Sequence, residues 1–188
     1  MSQMVYHLCQ MPSLPIPSLA GLTTERLVFR HATQSDAGWW MEYHNNGEAI
    51  RFMPFTLGSE KDRDQFIQWT LDRIPRDGSC LNVVSDRATG KPVGMIGLLT
   101  QEVSGVLELE VAYHLLPSAW GKGYASEAAR ACKEFAREHA LAPSVVSLID
   151  PGNGKSVAVA ERNGMRFDTM GMHRGEEVMV YRVHFATP

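Results

Sequence analysis

The sequence predicts an α+β domain: a mixed, largely antiparallel sheet of six or seven strands with helices on both faces. Three observations carry this expectation. The runs LNVVSD and PVGMIGLLT, separated by the turn RATGK with Gly90, read as two strands of a hairpin. Segments near residues 34–44, 59–74 and 124–139 repeat their apolar positions with helical period. A strand at residues 107–116 runs through a glycine loop directly into the third of these helices.

Taken in order, residues 1–22 carry Pro12, Pro15 and Pro17 among small and apolar residues and read as an extended, loosely attached arm outside the active site, leaving 23–188 as one domain. Arg26–Arg30 alternates as a first strand, and Thr33 with Asp36 has the spacing of a capping box. Ala37, Trp40, Met41 and His44 then recur on one helical face, which makes His44 a core-edge residue. Ser59 with Asp62 repeats the cap signal, Phe66, Ile67, Thr70, Leu71 and Ile74 line the second helix, and Pro75 is expected to stop it. After the hairpin and a turn at Ser104-Gly105 come the strand 107–116 and a helix from about Tyr124 to His139. The apolar strand SVVSLID, a short helix ending at Gly164, and strands around Met165–Met172 and Val178–Phe185 complete the chain.

Composition narrows the function. The 188 residues suit one domain with a real core, and 44% apolar with 21% charged residues is ordinary for a globular protein. A formal net charge of -3 and a pI near 6.2 give no general attraction to nucleic acid or an anionic membrane. No stretch approaches the 18 or so apolar residues of a membrane helix, and the N-terminus lacks a basic segment followed by an apolar run. Cys9, Cys80 and Cys132 have neither disulfide-framework nor zinc spacing, so a reducing, cytoplasmic setting is expected.

The chemistry concentrates in LELEVAYHLLPSAWGKGYASEA. Leu107, Leu109, Val111, Tyr113 and Leu115 share one face of the strand, while Glu108, Glu110, Ala112 and His114 share the other, which is expected to border a cleft. The loop from Ser118 to Gly123 then opens a helix. Glycines let a backbone approach a ligand, and a helix start offers N–H groups without intrahelical partners plus the positive end of the dipole. That layout is an anion cradle, with Lys122 as a local charge. A lone G-x-G is also often only a tight turn. A dinucleotide fingerprint is disfavoured by serine at position 126, where a third glycine belongs, and GNGKS at 152–156 lacks the first glycine of a phosphate-binding loop.

The string YHLLPSAWGKGYASEA resembles the acetyl-CoA motif of the GCN5-related N-acetyltransferases, in the branch of the ribosomal-protein N-terminal acetyltransferases. Trp120, Gly121, Lys122, Gly123, Tyr124 and Ala125 fall in its register, with Trp120 where the general pattern has Gln or Arg. Asn153, Ser156 and Glu161-Arg162-Asn163-Gly164-Met165 resemble the second signature, and LTTERLVFRHATQSDA resembles the branch's opening. The likeness spans about residues 22–185.

That resemblance implies central strands that diverge to admit acetyl-CoA, and acetyl transfer to a primary amine in a ternary complex without a metal. The amine would belong to a protein N-terminus or a small molecule, and a homodimer is left open. It implies backbone contacts to the pantetheine arm around Leu115 and Leu116. It further implies pyrophosphate held by the amides of Gly121, Lys122, Gly123, Tyr124, Ala125 and Ser126, and a cofactor contact at Asn153.

An amine that is protonated at neutral pH needs a base, and Glu110, on the polar strand face, is the candidate. Glu108 reads instead as a carboxylate pairing with a neighbouring strand. The family's tyrosine proton donor is replaced by Ala160, so Ser156 is either the donor to the leaving thiolate or a helix cap. His114, with no metal-ligand set beside it, is a cleft-wall residue, and Trp39, Trp40, Arg51 and Phe52 fall where the acceptor site usually forms, although aromatics so spaced more often build core. A noncatalytic acetyl-CoA-binding module and, more distantly, a nicotinamide-dependent oxidoreductase are the alternatives.

Overall fold

The computed structural model describes residues 14–186. In chain order the elements are β1 (Leu27–Arg30), α1 (Ala37–His44), α2 (Glu60–Asp77), β2 (Leu81–Asp86), β3 (Pro92–Val103), β4 (Val106–Leu115), α3 (Tyr124–Glu138), β5 (Ser144–Ile149), α4 (Gly154–Arg162), β6 (Arg166–His173) and β7 (Glu176–His184). Seven strands form one sheet in the order β1-β2-β3-β4-β5-β7-β6, every neighbouring pair antiparallel except β4 and β5. This is the mixed, largely antiparallel sheet the sequence predicts.

Helices cover both faces. Side chains of adjacent strand residues point to opposite sides: the His114 ring reaches Tyr43 of α1 and Phe66 of α2, whereas the Tyr113 hydroxyl reaches α4. The core between the layers is built from Trp40, Leu27, Phe29, Ile67, Met95, Ile96 and Leu98, all under 2% exposed. Trp40 stacks on Tyr43 and Phe66, which joins α1 to α2 and makes Trp40 a core residue rather than an acceptor contact. Trp39 donates its indole N–H to Asp36 at 2.7 Å.

The start of α1 is secured as its sequence suggests. Thr33 and Asp36 form a reciprocal capping box around a short 3-10 turn, and Arg30 reaches Asp36 in a bidentate pair at 2.5 and 2.8 Å. Burial opposes ionisation of Asp36, yet the hydrogen bonds from Arg30, Trp39 and Thr33 outweigh it and hold its carboxyl at about 2. Ser59 likewise caps α2 through the Asp62 amide.

Three expectations are corrected. Residues 1–13 lie outside the described residues, but from Leu14 to Leu22 the chain is not loose: Ile16 and Leu19 are buried in the main core, and the Ile16 amide donates to the Asp77 carbonyl at 2.9 Å. Apolar residues between prolines were enough to dock this segment. Pro75 does not stop α2, which continues to Asp77. In the last turn a proline removes a single donor, and the actual stop is Gly78, left-handed at φ 80°, whose N–H donates to Ile74 O. Finally, β3 runs past Thr100 to Val103, so Gln101 and Glu102 are strand residues.

Candidate active site

The site begins where two neighbouring strands separate. β4 pairs with β3 along its whole length, from Gly94↔Leu115 to Val103↔Val106, but with β5 at one registered position, Glu110↔Val146. Beyond that point toward the C-terminal end of β4, side chains take over from the backbone. Ser147 Oγ donates to Val111 O at 3.0 Å, and Tyr113 OH donates to Ser156 O at 2.9 Å. The Leu116 amide donates to Val93 O, so Leu116 is turned toward β3, and the alternation of the strand leaves Leu115 and Tyr113 presenting their backbone to the gap. Leu115 O there accepts from Trp120 Nε1 at 3.0 Å. Of the two backbone positions expected to meet a pantetheine arm, Leu115 faces the gap and Leu116 does not.

At the end of the gap lies the glycine loop. Gly121 and Gly123 are left-handed at φ 73° and 79°, and Gly123 is the N-cap of α3 without any side-chain cap bond. A Cβ at Gly121 would meet nothing within 4 Å, so the loop is open on that side. The first-turn amides of α3, at Tyr124, Ala125 and Ser126, therefore keep the donor capacity that a helix N-terminus offers to an anion. Lys122 folds back so that Nζ donates to Ser118 O at 2.8 Å, and its charge stays beside the loop.

Tyr124 apart, the loop is fixed by residues that the sequence did not single out. Glu127 accepts from Thr24 Oγ1, Arg26 N and Arg26 Nε at 2.5, 2.9 and 2.6 Å, while Arg26 Nη1 donates to Lys122 O. Tyr124 OH donates to Asp86 Oδ2 at 2.5 Å. The start of α3 is thus tied to the segment just before β1 and to the end of β2, by contacts 38 to 103 residues apart that no local pattern encodes.

The two carboxylates of β4 have opposite surroundings, and the face they share is covered: each is 8% exposed. Glu108 accepts from Arg182 Nη1 and Nη2 at 3.0 and 2.8 Å, and Arg182 also reaches Asp168. It is the strand-pairing carboxylate expected, although inside the fold. Glu110 has no cation within ion-pair distance among the described residues; its side-chain partner is the Gln101 amide at 3.1 Å. Burial pushes its carboxyl above the usual range, opposed by the Gln101 hydrogen bond and by the charge of His173. His114, four residues on, has its pKa driven down to about 4 by burial, stays neutral and lies 3.3 Å from Tyr43 OH.

Asn153 caps α4, its Oδ1 accepting from Ser156 N at 3.1 Å. The cap is therefore Asn153 and not Ser156. Ser156 uses its amide for that cap and its carbonyl for Tyr113. Ala160, one turn later, is buried. From the α1–α2 connection, Glu48 pairs with Lys155 at 2.6 Å, Lys155 lies 4.7 Å from the Trp120 ring centroid, and the Phe52 ring borders Gly152. These contacts join the connection, the glycine loop and the start of α4. No helix among the described residues is long and apolar enough to cross a membrane.

Known proteins share this fold. The profile of the acetyltransferase (GNAT) domain matches residues 26–166. The chain is 30% identical over 160 residues to the uncharacterized protein YkkB of Bacillus subtilis (strain 168), covering 85% of this chain and 93% of that one. The crystal structure of an acetyltransferase from Agrobacterium tumefaciens superposes with a TM-score of 0.74 at 29% identity, over 87% of this chain and 94% of its own. RimL, a ribosomal L7/L12 α-N-protein acetyltransferase solved with coenzyme A, shares the fold with a TM-score of 0.68 at 18% identity, over 87% and 97%. Because the matched residues run from the start of β1 to the start of β6, through every element that shapes the gap, the chain belongs to the GNAT family of acetyl-CoA-dependent acetyltransferases.

Proposed function

We propose that this enzyme moves the acetyl group of acetyl-CoA onto a primary amine, at a peptide N-terminus or on a small molecule, by direct attack within a ternary complex. The observation that carries the reading is Glu110: a buried carboxylate without a paired cation, at the one position where β4 still pairs with β5, beside the gap. The residues fit the donor substrate. An open glycine loop, an uncapped helix start and strand backbone left without a ladder partner suit a pyrophosphate and an amide-bearing arm. In this reading Gly121, Lys122, Gly123, Tyr124, Ala125 and Ser126 hold the pyrophosphate, Leu115 and Tyr113 pair with pantetheine, and Asn153 orients the start of α4 beside it.

A negative charge at a helix N-terminus gains about 0.3–1 kcal/mol, so affinity comes from several groups acting together in a chain of net charge -3. Glu110 takes a proton from the incoming ammonium, directly or through water. The free amine attacks the thioester carbon, a C–N bond forms and the C–S bond breaks. The thiolate then takes up a proton, for which the Ser156 hydroxyl is the available donor. The activity of RimL, a ribosomal L7/L12 α-N-protein acetyltransferase, supports including peptide N-termini among the acceptors.

A screen of peptides with varied first residues, polyamines and aminoglycosides, read as free CoA thiol, tests the proposal. Acetylated product from at least one amine, with loss of turnover in Glu110→Gln, is expected. Acetyl-CoA binding without turnover on any amine would instead make the chain a binding module.

A further inference from the structure

Gln101 stands out as a buried polar residue that the proposed chemistry does not use. It lies on β3 opposite Glu108, 8% exposed, and its Nε2 donates to Glu110 Oε2. It also lines a cavity of about 530 Å³ between the β3–β4 turn and the β6–β7 turn. The two turns are locked together: Ser104 N donates to Met172 O, Met172 N donates to Ser104 Oγ, and His173 Nδ1 sits 2.9 Å from Glu102 O. Gln101 therefore stands between this cavity and the Glu110 carboxylate on a rigid part of the sheet.

We propose that Gln101 is a positioning residue for the reaction: its amide orients the Glu110 carboxylate and sets the proton affinity at which that carboxylate works. The inference rests on the reading of Glu110 as the base. A neutral donor suits the task. An arginine in its place would fix the carboxylate as an ion and weaken it as a base, the state in which Arg182 holds Glu108, whereas without the Gln101 amide burial would push the carboxyl up further, opposed by no side-chain hydrogen bond. The charges around Glu110 are otherwise committed. Glu108 and Asp168 pair with Arg182, and Arg73 of α2 pairs with Asp77. Arg174 stacks over Trp69 at 5.5 Å, His173 is hooked to Glu102 O, and Glu102 itself points outward on an exposed residue. Gln101 is thus the side chain that touches Glu110 directly, and the remaining charges act only at longer range.

The test follows the Glu110 carboxyl carbon by NMR titration of protein labelled with 13C-glutamate, the resonance being assigned by its absence in Glu110→Gln. Gln101→Met keeps length but removes the donor; Gln101→Asn keeps an amide that is too short to reach. Loss of a hydrogen bond to an ionised group raises the midpoint by about one unit, a tenfold change in proton affinity. The expected result is that rise in either folded variant, with the acidic limb of the kcat/KM profile moving up by the same amount. An unchanged Glu110 midpoint in either variant overturns the inference. A midpoint that rises while the rate profile stays fixed removes Glu110 as the base and overturns the positioning role with it, leaving only the hydrogen bond between the two side chains.

Discussion

The two edges of β4 behave differently. Toward β3 the ladder is continuous and the backbone is saturated; toward β5 it holds at Glu110↔Val146 and then opens. One strand thus serves as scaffold on one side and as backbone without a ladder partner on the other. The difference teaches where a ligand can be bound by main chain alone. Buried N–H and C=O groups need partners, so a strand edge left open inside a domain is a place that a ligand's amides can complete.

The sharpest way to break this comparison is to substitute a glycine on each side. On the open side, Gly123→Val puts a branched side chain into the loop, where the nearest protein atom to a Cβ would be Arg26 Nη2 at 3.4 Å. The protein has room but the pyrophosphate loses it. Acetyl-CoA affinity measured by calorimetry is expected to fall at least about 100-fold, while the left-handed φ of 79° adds strain of roughly 1–2 kcal/mol, seen as a small drop in Tm. Affinity close to wild type would exclude the loop as the anion site.

Next in size is the catalytic effect. Glu110→Gln should keep acetyl-CoA affinity and lower turnover about 10²- to 10⁴-fold at neutral pH, with partial recovery at high pH where free amine is abundant. Ser156→Ala on the same assay is expected to cost less, since a thiolate is a good leaving group and water can reprotonate it. A larger loss in Ser156→Ala than in Glu110→Gln would reverse the roles assigned across the gap.

On the paired side the expected loss is folding, not binding. A Cβ at Gly97 would lie 2.1 Å from Cys80 O, so Gly97→Ala must push β3 away from β2. Such overpacking costs about 1–3 kcal/mol in urea unfolding, with acetyl-CoA affinity of the folded protein retained. The reverse pattern, intact stability with lost affinity, would mean that the saturated edge also binds ligand.

The two carboxylates give the smallest and most diagnostic contrast. Glu108→Gln weakens a buried ion pair with Arg182 and should destabilise by up to about 3 kcal/mol. Glu110→Gln should do the opposite. Burial raises the folded-state pKa of Glu110 above its reference 4.5, so the native state holds its proton longer and wild-type stability falls as pH rises through that region. The glutamine variant should therefore be more stable than wild type at neutral pH and lose that advantage below about pH 4. Thermal melts across pH decide this.

How much of this was legible in the sequence depends on how local each feature is. The alternation in 107–116, the positive-φ glycines at 121 and 123 and the caps at Thr33 and Ser59 are local, and each appears where the residues put it. Pro75 misled because a proline's cost depends on its position in the helix, and the true stop, Gly78, was three residues away. Glu108 and Glu110 look alike in LELEV; only tertiary contact separates them, Arg182 from β7 for one and Gln101 from β3 for the other. Gln101 itself falls just past PVGMIGLLT, the run that reads as the strand, and nothing local marks it. The Arg26–Glu127 tie is equally long-range and left no trace in either segment.

Hydrogen exchange with and without acetyl-CoA, read by mass spectrometry on peptides across β4 and the glycine loop, tests the central claim most directly. Added protection is expected at Tyr113, Leu115 and residues 121–126, with little change along the β2–β3 ladder, whose amides are already paired. Protection that appears elsewhere while β4 and the loop exchange as in the free protein would contradict it.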